Sequence, residues 1–111
     1  MFRIESDGSI SLTRGDTARF TVPITNEADG KEYAIQNEDT LTFTVKKSTK
    51  DAEPSFQKVV KGGSNFHIEP KDTAQLAFGK YKYDVQLNTA GGDVYTVIDS
   101  TTFEILEEVT W

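Results

Sequence analysis

His67 has the widest chemical repertoire of any side chain in this sequence, and it is the single histidine. Within the segment 65–69, alternation places Phe66 and Ile68 on one face and His67 with Glu69 on the other. General acid–base catalysis or metal binding would require further partners at the same site. Two side chains give at most a two-ligand patch, so a solvated histidine beside a carboxylate is the simpler interpretation.

Aspartates occupy several predicted turns, and calcium binding is the chemistry that such positions can support. They are Asp29, Asp39, Asp72, Asp93 and Asp99. Calcium takes about six to eight oxygen ligands from loops of this kind. No segment has the dense Asp-x-Asp-x-Asp spacing of a dedicated calcium loop, and the turn preference of aspartate explains these positions without a metal. We therefore predict no metal and no cofactor, and keep a calcium-dependent adhesion module as an alternative.

The sequence contains no recognisable catalytic motif. The pairs Gly62-Gly63 and Gly91-Gly92 lack the strand-to-helix context of a phosphate or dinucleotide loop, and no Gly-x-Ser-x-Gly is present. The absence of cysteine excludes disulfides, thiolate metal sites and cysteine catalysis. No two carboxylates have a separation that the sequence fixes, as glycoside hydrolysis would require. We predict that the protein is not an enzyme.

Arg14, Gly15 and Asp16 form the tripeptide that integrin ligands present on exposed loops. Three residues recur often by chance, and these lie between two predicted strands. In the structural interpretation Gly15 bends the backbone while Arg14 and Asp16 stay solvated. The sequence favours this second interpretation and makes Gly15 a fold-defining residue.

Tyr33, Tyr95 and Trp111 are the aromatic residues that the pattern assigns least clearly to a core. Exposed aromatic rings stack on sugars or anchor a protein partner, so these three are candidate contact residues. Tyr95 alternates with Val97 and can instead be interior, and Trp111, the last residue, is either frayed or docked. These aromatics motivate a carbohydrate-binding module as an alternative function.

Composition and charge narrow the classes of partner. A length of 111 residues fits one domain, which we assign to residues 1–111 with a core from about 9 to 106. A net charge of −6 argues against nucleic acids and anionic membrane surfaces as partners. Residues 1–8 lack the apolar core of a signal peptide, and no run approaches the roughly 20 apolar residues of a membrane span. We expect a protein that starts out soluble in the cytoplasm.

Residues 70–87 are the stretch around which the other predicted elements are arranged. Tyr81, Tyr83, Val85 and Leu87 alternate with polar residues, as in a half-buried strand. The polar connection from Asp72 through Gly79 into the two tyrosines is typical of the tyrosine corner of immunoglobulin-like sandwiches. We predict a single helical turn at 71–76 that Asp72 caps. Asp72, Gly79, Tyr81 and Tyr83 are therefore fold-defining candidates.

Short alternating runs account for most of the remaining sequence. We predict further strands at 9–13, 16–25, 33–35, 41–47, 56–60, 66–68 and 94–105. Turns are predicted at 26–30, 37–39, 62–63 and 89–93, with a bulge at 99–101 and a break near Pro23. Strands about ten residues apart, with no sustained helical period, predict an all-β protein. The expected architecture is an Ig-like antiparallel β-sandwich of about seven to eight strands.

Four segments together resemble a small Ig-like module of tailed bacteriophages and of prophages from Gram-positive hosts. They are LTRGDTARFTV at 12–22, DTLTFTVKK at 39–47, the stretch 72–87, and GDVYTVI at 92–98 with TFEI at 102–105. The chain is similar to the N-terminal domain of baseplate upper proteins, which begins with an Arg-Gly-Asp-Thr strand. The likeness extends from residue 12 to residue 105, and the order and spacing of the segments carry it.

The resemblance implies a non-enzymatic virion or tail-associated component that contacts other tail or baseplate proteins. It implies a location in the virion, or in the host cytoplasm during assembly, and it is compatible with a homo-oligomer. In baseplate upper proteins further segments follow such a domain, whereas this sequence ends at Trp111. We therefore expect a stand-alone accessory or adaptor module. In this interpretation the Arg14–Asp16 tripeptide belongs to a family turn and has no relation to integrins.

Overall fold

The chain forms a mostly β protein with one four-residue helix. The computed structural model describes residues 2–4, 8–25, 30–48, 50 and 53–107. In these ranges the elements are β1 Phe2–Ile4, β2 Ile10–Thr13, β3 Ala18–Thr21, β4 Thr40–Lys46, β5 Phe56–Lys61, β6 Asn65–Ile68, α1 Pro70–Thr73, β7 Gly79–Asn88 and β8 Val94–Leu106. No helix in the described ranges is long and apolar enough to cross a membrane.

The strands form a six-stranded and a two-stranded sheet. The larger sheet has the order β1-β2-β8-β7-β4-β5, and the smaller one consists of β3 and β6. All neighbours are antiparallel except β2 and β8, which pair in parallel. The expectation of purely antiparallel pairing was therefore wrong at this one pair. The chain leaves β2 for the smaller sheet at Gly15, so β2 has no hairpin partner at that end and pairs with the last strand instead.

One core lies between the inner faces of the two sheets. Phe20 of β3 and Phe66 of β6 each lie with their ring centroid 5.6 Å from that of Phe43 in β4. Phe43 also lies 5.1 Å from the ring of Tyr83 in β7. Aromatic rings at such separations bury large apolar areas and prefer edge-on or tilted contacts. These contacts attach the smaller sheet to the larger one.

The alternation predicted for β7 is confirmed, since Tyr81, Tyr83, Val85 and Leu87 are all buried. The Tyr81 hydroxyl donates a hydrogen bond to the upstream backbone carbonyl of Ala77 at 2.8 Å. The Tyr83 hydroxyl donates to the Gly8 carbonyl. Both tyrosine hydroxyl groups therefore have a hydrogen-bond acceptor at the border of the core.

The helix begins one residue earlier than predicted, and Asp72 does not occupy the capping position. Glu69 is the N-cap and Pro70 the first helical residue, a position that proline favours. The Asp72 carboxylate instead accepts a hydrogen bond from the Glu69 backbone N–H at 2.7 Å, as the third helical residue of a capping box does. It also lies 2.7 Å from the Lys58 ammonium, which ties the helix to β5.

The turn after β2 contains Gly15, which has a φ of +83° and so confirms the predicted bend. Its N–H donates to the Thr73 hydroxyl at 2.9 Å. The prediction that Arg14 stays solvated was wrong, because its guanidinium lies 4.2 Å over the ring of Phe78 and donates to the Leu76 carbonyl at 3.3 Å. Asp16 is half-buried too. This tripeptide therefore packs against the connection between α1 and β7, where Gly79 opens β7 with a φ of +131°.

The first strand of the sequence was not predicted, whereas two predicted strands are shorter or absent. β1 spans three residues, too few for a recognisable period, and its position comes from pairing with β2. β3 ends at Thr21 instead of residue 25, since Pro23 has no N–H to donate to a ladder. The predicted strand at 33–35 is replaced by one isolated bridge between Thr25 and Glu32. Most of the predicted turn at 26–30 lies outside the described residues.

The last strand has the irregularity that was predicted for residues 99–101. Tyr83 of β7 lies opposite Thr101, and Val85 lies opposite Ile98, so that Asp99 and Ser100 of β8 lie opposite the single residue Asp84. β8 therefore contains one extra residue at this point. A bulge of this kind bends the strand and redirects its side chains.

Candidate functional site

A depression of about 540 Å³ lies at the end of the β7–β8 hairpin. Six of the described residues that line it have apolar or aromatic side chains, and these are Pro23, Ile24, Tyr33, Leu87, Tyr95 and Val97. Thr25 and Thr96 add two hydroxyl groups. The depression brings together two of the three aromatic residues that the sequence pointed out as candidate contacts. Trp111, the third, lies outside the described residues.

The depression forms because the β7–β8 hairpin extends beyond the strands that cover it. Tyr95 lies opposite Leu87 in the register of the two strands, so both side chains are on the inner face. Leu87 is buried, whereas Tyr95 is 56 % exposed. β3 has already ended at Thr21. The alternation with Val97 thus identified the face of Tyr95 correctly, but the ring is not interior because the smaller sheet stops short of it.

A buried carboxylate fixes Tyr33 at the wall of the depression. The Tyr33 hydroxyl donates to Oδ2 of Asp39 at 2.6 Å, and the same oxygen accepts the Gln36 N–H at 2.9 Å. Asp39 is only 2 % exposed, and the nearby backbone of Ala90 in the β7–β8 loop also helps to hold its pKa low. The sequence indicated Asp39 only as a turn residue, so its role in holding this tyrosine was missed.

The hydrogen bond between Tyr33 and Asp39 shifts the pKa of both groups. The donated hydroxyl, followed by the Gln36 N–H, holds the pKa of Asp39 below its usual value. The same bond is the main cause of a raised pKa at Tyr33. The folded chain binds the Asp39 proton more weakly than the unfolded chain does. Its stabilising contribution is therefore complete above the unfolded pKa of about 3.9 and is lost as the pH falls through the folded pKa.

Asp39→Asn is expected to lower the stability of the fold at neutral pH and to flatten its loss in acid. The amide cannot carry the charge that the Tyr33 hydroxyl and the backbone N–H groups stabilise. Denaturant unfolding between about pH 2 and pH 7 measures both effects. Asp93→Asn, at an exposed carboxylate of the hairpin loop, is the matched control and should retain the acid dependence. Equal acid profiles for Asp39→Asn and the unmodified protein would contradict the assignment.

The other residues with candidate chemistry do not converge. His67 is exposed on β6 opposite Arg19, while Glu69 lies 3.7 Å from each of Lys58 and Lys71. Within the described ranges, no three histidine, aspartate or glutamate side chains are grouped so as to hold a metal ion. Asp29 lies outside those ranges. The calcium alternative therefore gains no support from the part of the chain that the structure describes.

Comparison with known proteins leaves the chain without an assigned relative. No protein family model matches the sequence. No curated protein shows significant similarity to it. A functional assignment therefore depends on the geometry of the depression and on the resemblance of the strand segments.

Proposed function

We propose that this chain is an Ig-like β-sandwich that serves as a non-enzymatic structural module of a phage or prophage tail. In this function it joins other tail or baseplate proteins through the depression at the end of the β7–β8 hairpin. Support for the sandwich comes from the aromatic core shared by two sheets and from the Tyr81 hydroxyl bound to upstream backbone. Support for a phage or prophage tail as the assembly comes from the resemblance over residues 12–105 to an Ig-like phage module.

The chemical nature of the lining is the observation that carries a binding function. Among the residues that the structure describes, eight line the depression, and none of these is a carboxylate, a histidine, a lysine or an arginine. The side chains of these eight residues offer no group with a pKa suited to proton transfer near neutral pH. They do offer an exposed tyrosine beside buried aliphatic side chains, and tyrosine is enriched among residues that dominate protein interfaces.

A carbohydrate-binding module is the second candidate function, and the pairing of Tyr33 with Tyr95 favours it. Tyrosine rings stack on the apolar faces of sugars, and Thr25 and Thr96 supply hydroxyl groups at the same depression. A neutral glycan would then fill the space that the first proposal gives to a side chain of a protein partner.

Affinity capture from lysate of the induced source strain, read by mass spectrometry, separates the two functions. The tagged protein is compared with Tyr95→Ala and with Val59→Ala, an exposed aliphatic residue on β5 away from the depression. We expect tail or baseplate proteins with the unmodified chain and with Val59→Ala, and at least about tenfold less with Tyr95→Ala. Recovery of no tail protein, together with glycan-array binding that Tyr95→Ala abolishes, would establish the carbohydrate function instead.

A further inference from the structure

A second concavity, of about 350 Å³, lies on the outer face of the six-stranded sheet, on the side away from the core. Unlike the described lining of the first depression, its lining includes charged side chains, and its polar and charged residues include Thr44, Lys46, Gln57, Lys82, Asp84 and Ser100. The bulge in β8 contributes to its shape, since Ser100 is one of the two residues that lie opposite Asp84 there. The volume lies in the lower part of the range of small-molecule sites, about 300–1,000 Å³.

Two lysines face each other across this concavity. Lys46 of β4 and Lys82 of β7 are direct partners in the antiparallel register. Like charges directly opposite each other destabilise a sheet. Within the described ranges neither lysine forms a direct ion pair, and Asp84, which attracts Lys46, offsets the repulsion only in part. An anionic group placed between the two ammonium groups would remove this repulsion and gain two charge-assisted hydrogen bonds.

Asp84 provides an acceptor beside the two lysines. It lies opposite Thr44 and is half-buried, and its burial raises the pKa of its carboxyl although Lys46 acts in the opposite direction. No hydrogen bond from another described residue compensates for this desolvation. Hydroxyl groups of a ligand that donate hydrogen bonds to the Asp84 carboxylate would compensate for its desolvation. The neighbouring Thr44 is held in place by Gln57, whose Nε2 donates to its hydroxyl at 2.8 Å.

We propose that this concavity binds a small hydroxylated ligand that carries one anionic group, an acidic sugar or a sugar phosphate. The anionic group lies between Lys46 and Lys82, and hydroxyl groups of the ligand donate to Asp84. The site is on a different face from the Tyr33–Tyr95 depression and uses none of its residues. Its existence is therefore independent of the function proposed above.

The test is a titration of the ¹⁵N-labelled full chain, followed by NMR, with glucuronate, glucose 6-phosphate and glucose. At least one of the two anionic sugars is expected to bind about tenfold or more tightly than glucose, with shifts at β4, β7 and the β8 bulge. If glucuronate binds more tightly, the site prefers a carboxylate as the anionic group. If glucose 6-phosphate binds more tightly, the site prefers a phosphate. Absence of binding by both anionic sugars at millimolar concentration, or equal binding of glucose, would overturn the proposal.

Matched variants separate the site from general attraction between the protein and anions. Lys82→Gln is expected to weaken binding of the preferred anionic sugar at least about tenfold, and Lys46→Gln should do the same. Lys80→Gln removes an equal charge from the same strand and the same face outside the concavity, and should leave binding unchanged. Lys82→Gln should not lower the melting temperature, because it removes a like-charge contact with Lys46. Equal weakening by Lys80→Gln and Lys82→Gln would overturn the proposal.

Discussion

Replacing Phe43 by alanine is expected to lower the free energy of unfolding by about 3–5 kcal/mol, the cost of removing a fully buried aromatic ring. The Phe43 side chain is 0 % exposed. Its ring centroid lies 5.1–6.1 Å from those of five other aromatic residues, which are Phe20, Phe56, Phe66, Tyr83 and Phe103. Because two of these rings belong to the smaller sheet, the variant removes the main contact between the sheets as well as buried area.

Denaturant unfolding followed by circular dichroism measures this loss. Domains of this size are stable by only about 5–15 kcal/mol, so the variant should lose a large share of its stability. Val59→Ala on the neighbouring β5 is the control, because Val59 is 60 % exposed and its truncation should cost less than about 0.5 kcal/mol. A loss below about 1 kcal/mol for Phe43→Ala would contradict a core shared by the two sheets.

Gly62→Ala is expected to have the second largest effect, a destabilisation of about 1–3 kcal/mol. Gly62 has a φ of +73°, which side-chain-bearing residues rarely adopt. A Cβ there would lie 3.1 Å from the backbone oxygen of Asn37, which cannot move without disturbing the turn before β4. The Gly62 N–H also donates a hydrogen bond to the Asp39 carbonyl at 2.8 Å. A shift of the backbone at residue 62 would therefore also disturb Asp39, whose carboxylate binds the Tyr33 hydroxyl.

The adjacent Gly63 provides the matched control for this prediction. Its φ is not positive, and an added Cβ would meet only the Val60 side chain at an ordinary 3.6 Å. Gly63→Ala should therefore change the free energy of unfolding by less than about 1 kcal/mol, in the stabilising direction, because it restricts the unfolded chain. Thermal unfolding of both variants measures this difference in stability. Similar stabilities for Gly62→Ala and Gly63→Ala would show that the left-handed backbone at Gly62 is not required.

Strands whose positions depend on local pattern could be predicted from the sequence. The alternation in β4 and β7 predicts which side chains face the core. The Gly91-Gly92 pair predicts where the chain reverses direction between β7 and β8. The bulge in β8 was also predicted, since alternation changes phase there. In each of these elements the determining contacts are close in sequence or follow from the period of two.

The missed features depend on residues that are distant in sequence. β2 pairs with β8 across about ninety residues, which no local pattern can reveal. Arg14 is covered by Phe78, and no signal within residues 12–16 indicates that contact. Tyr33 and Tyr95 were identified as candidate contacts, but their meeting in one depression follows from where the smaller sheet ends. No site was predicted at Lys46 and Lys82, because a lysine on the outer face of a strand is ordinary until its partner in the register is known.

Mass spectrometry of purified particles from the induced source strain is the most direct test of the proposed function. A tail or baseplate module should co-purify with intact particles through density-gradient separation, at a fixed ratio to the major tail proteins. Particles assembled with Tyr95→Ala should contain it at a reduced ratio, while Val59→Ala should leave the ratio unchanged. Particles with a complete set of tail proteins and none of this chain would contradict the account.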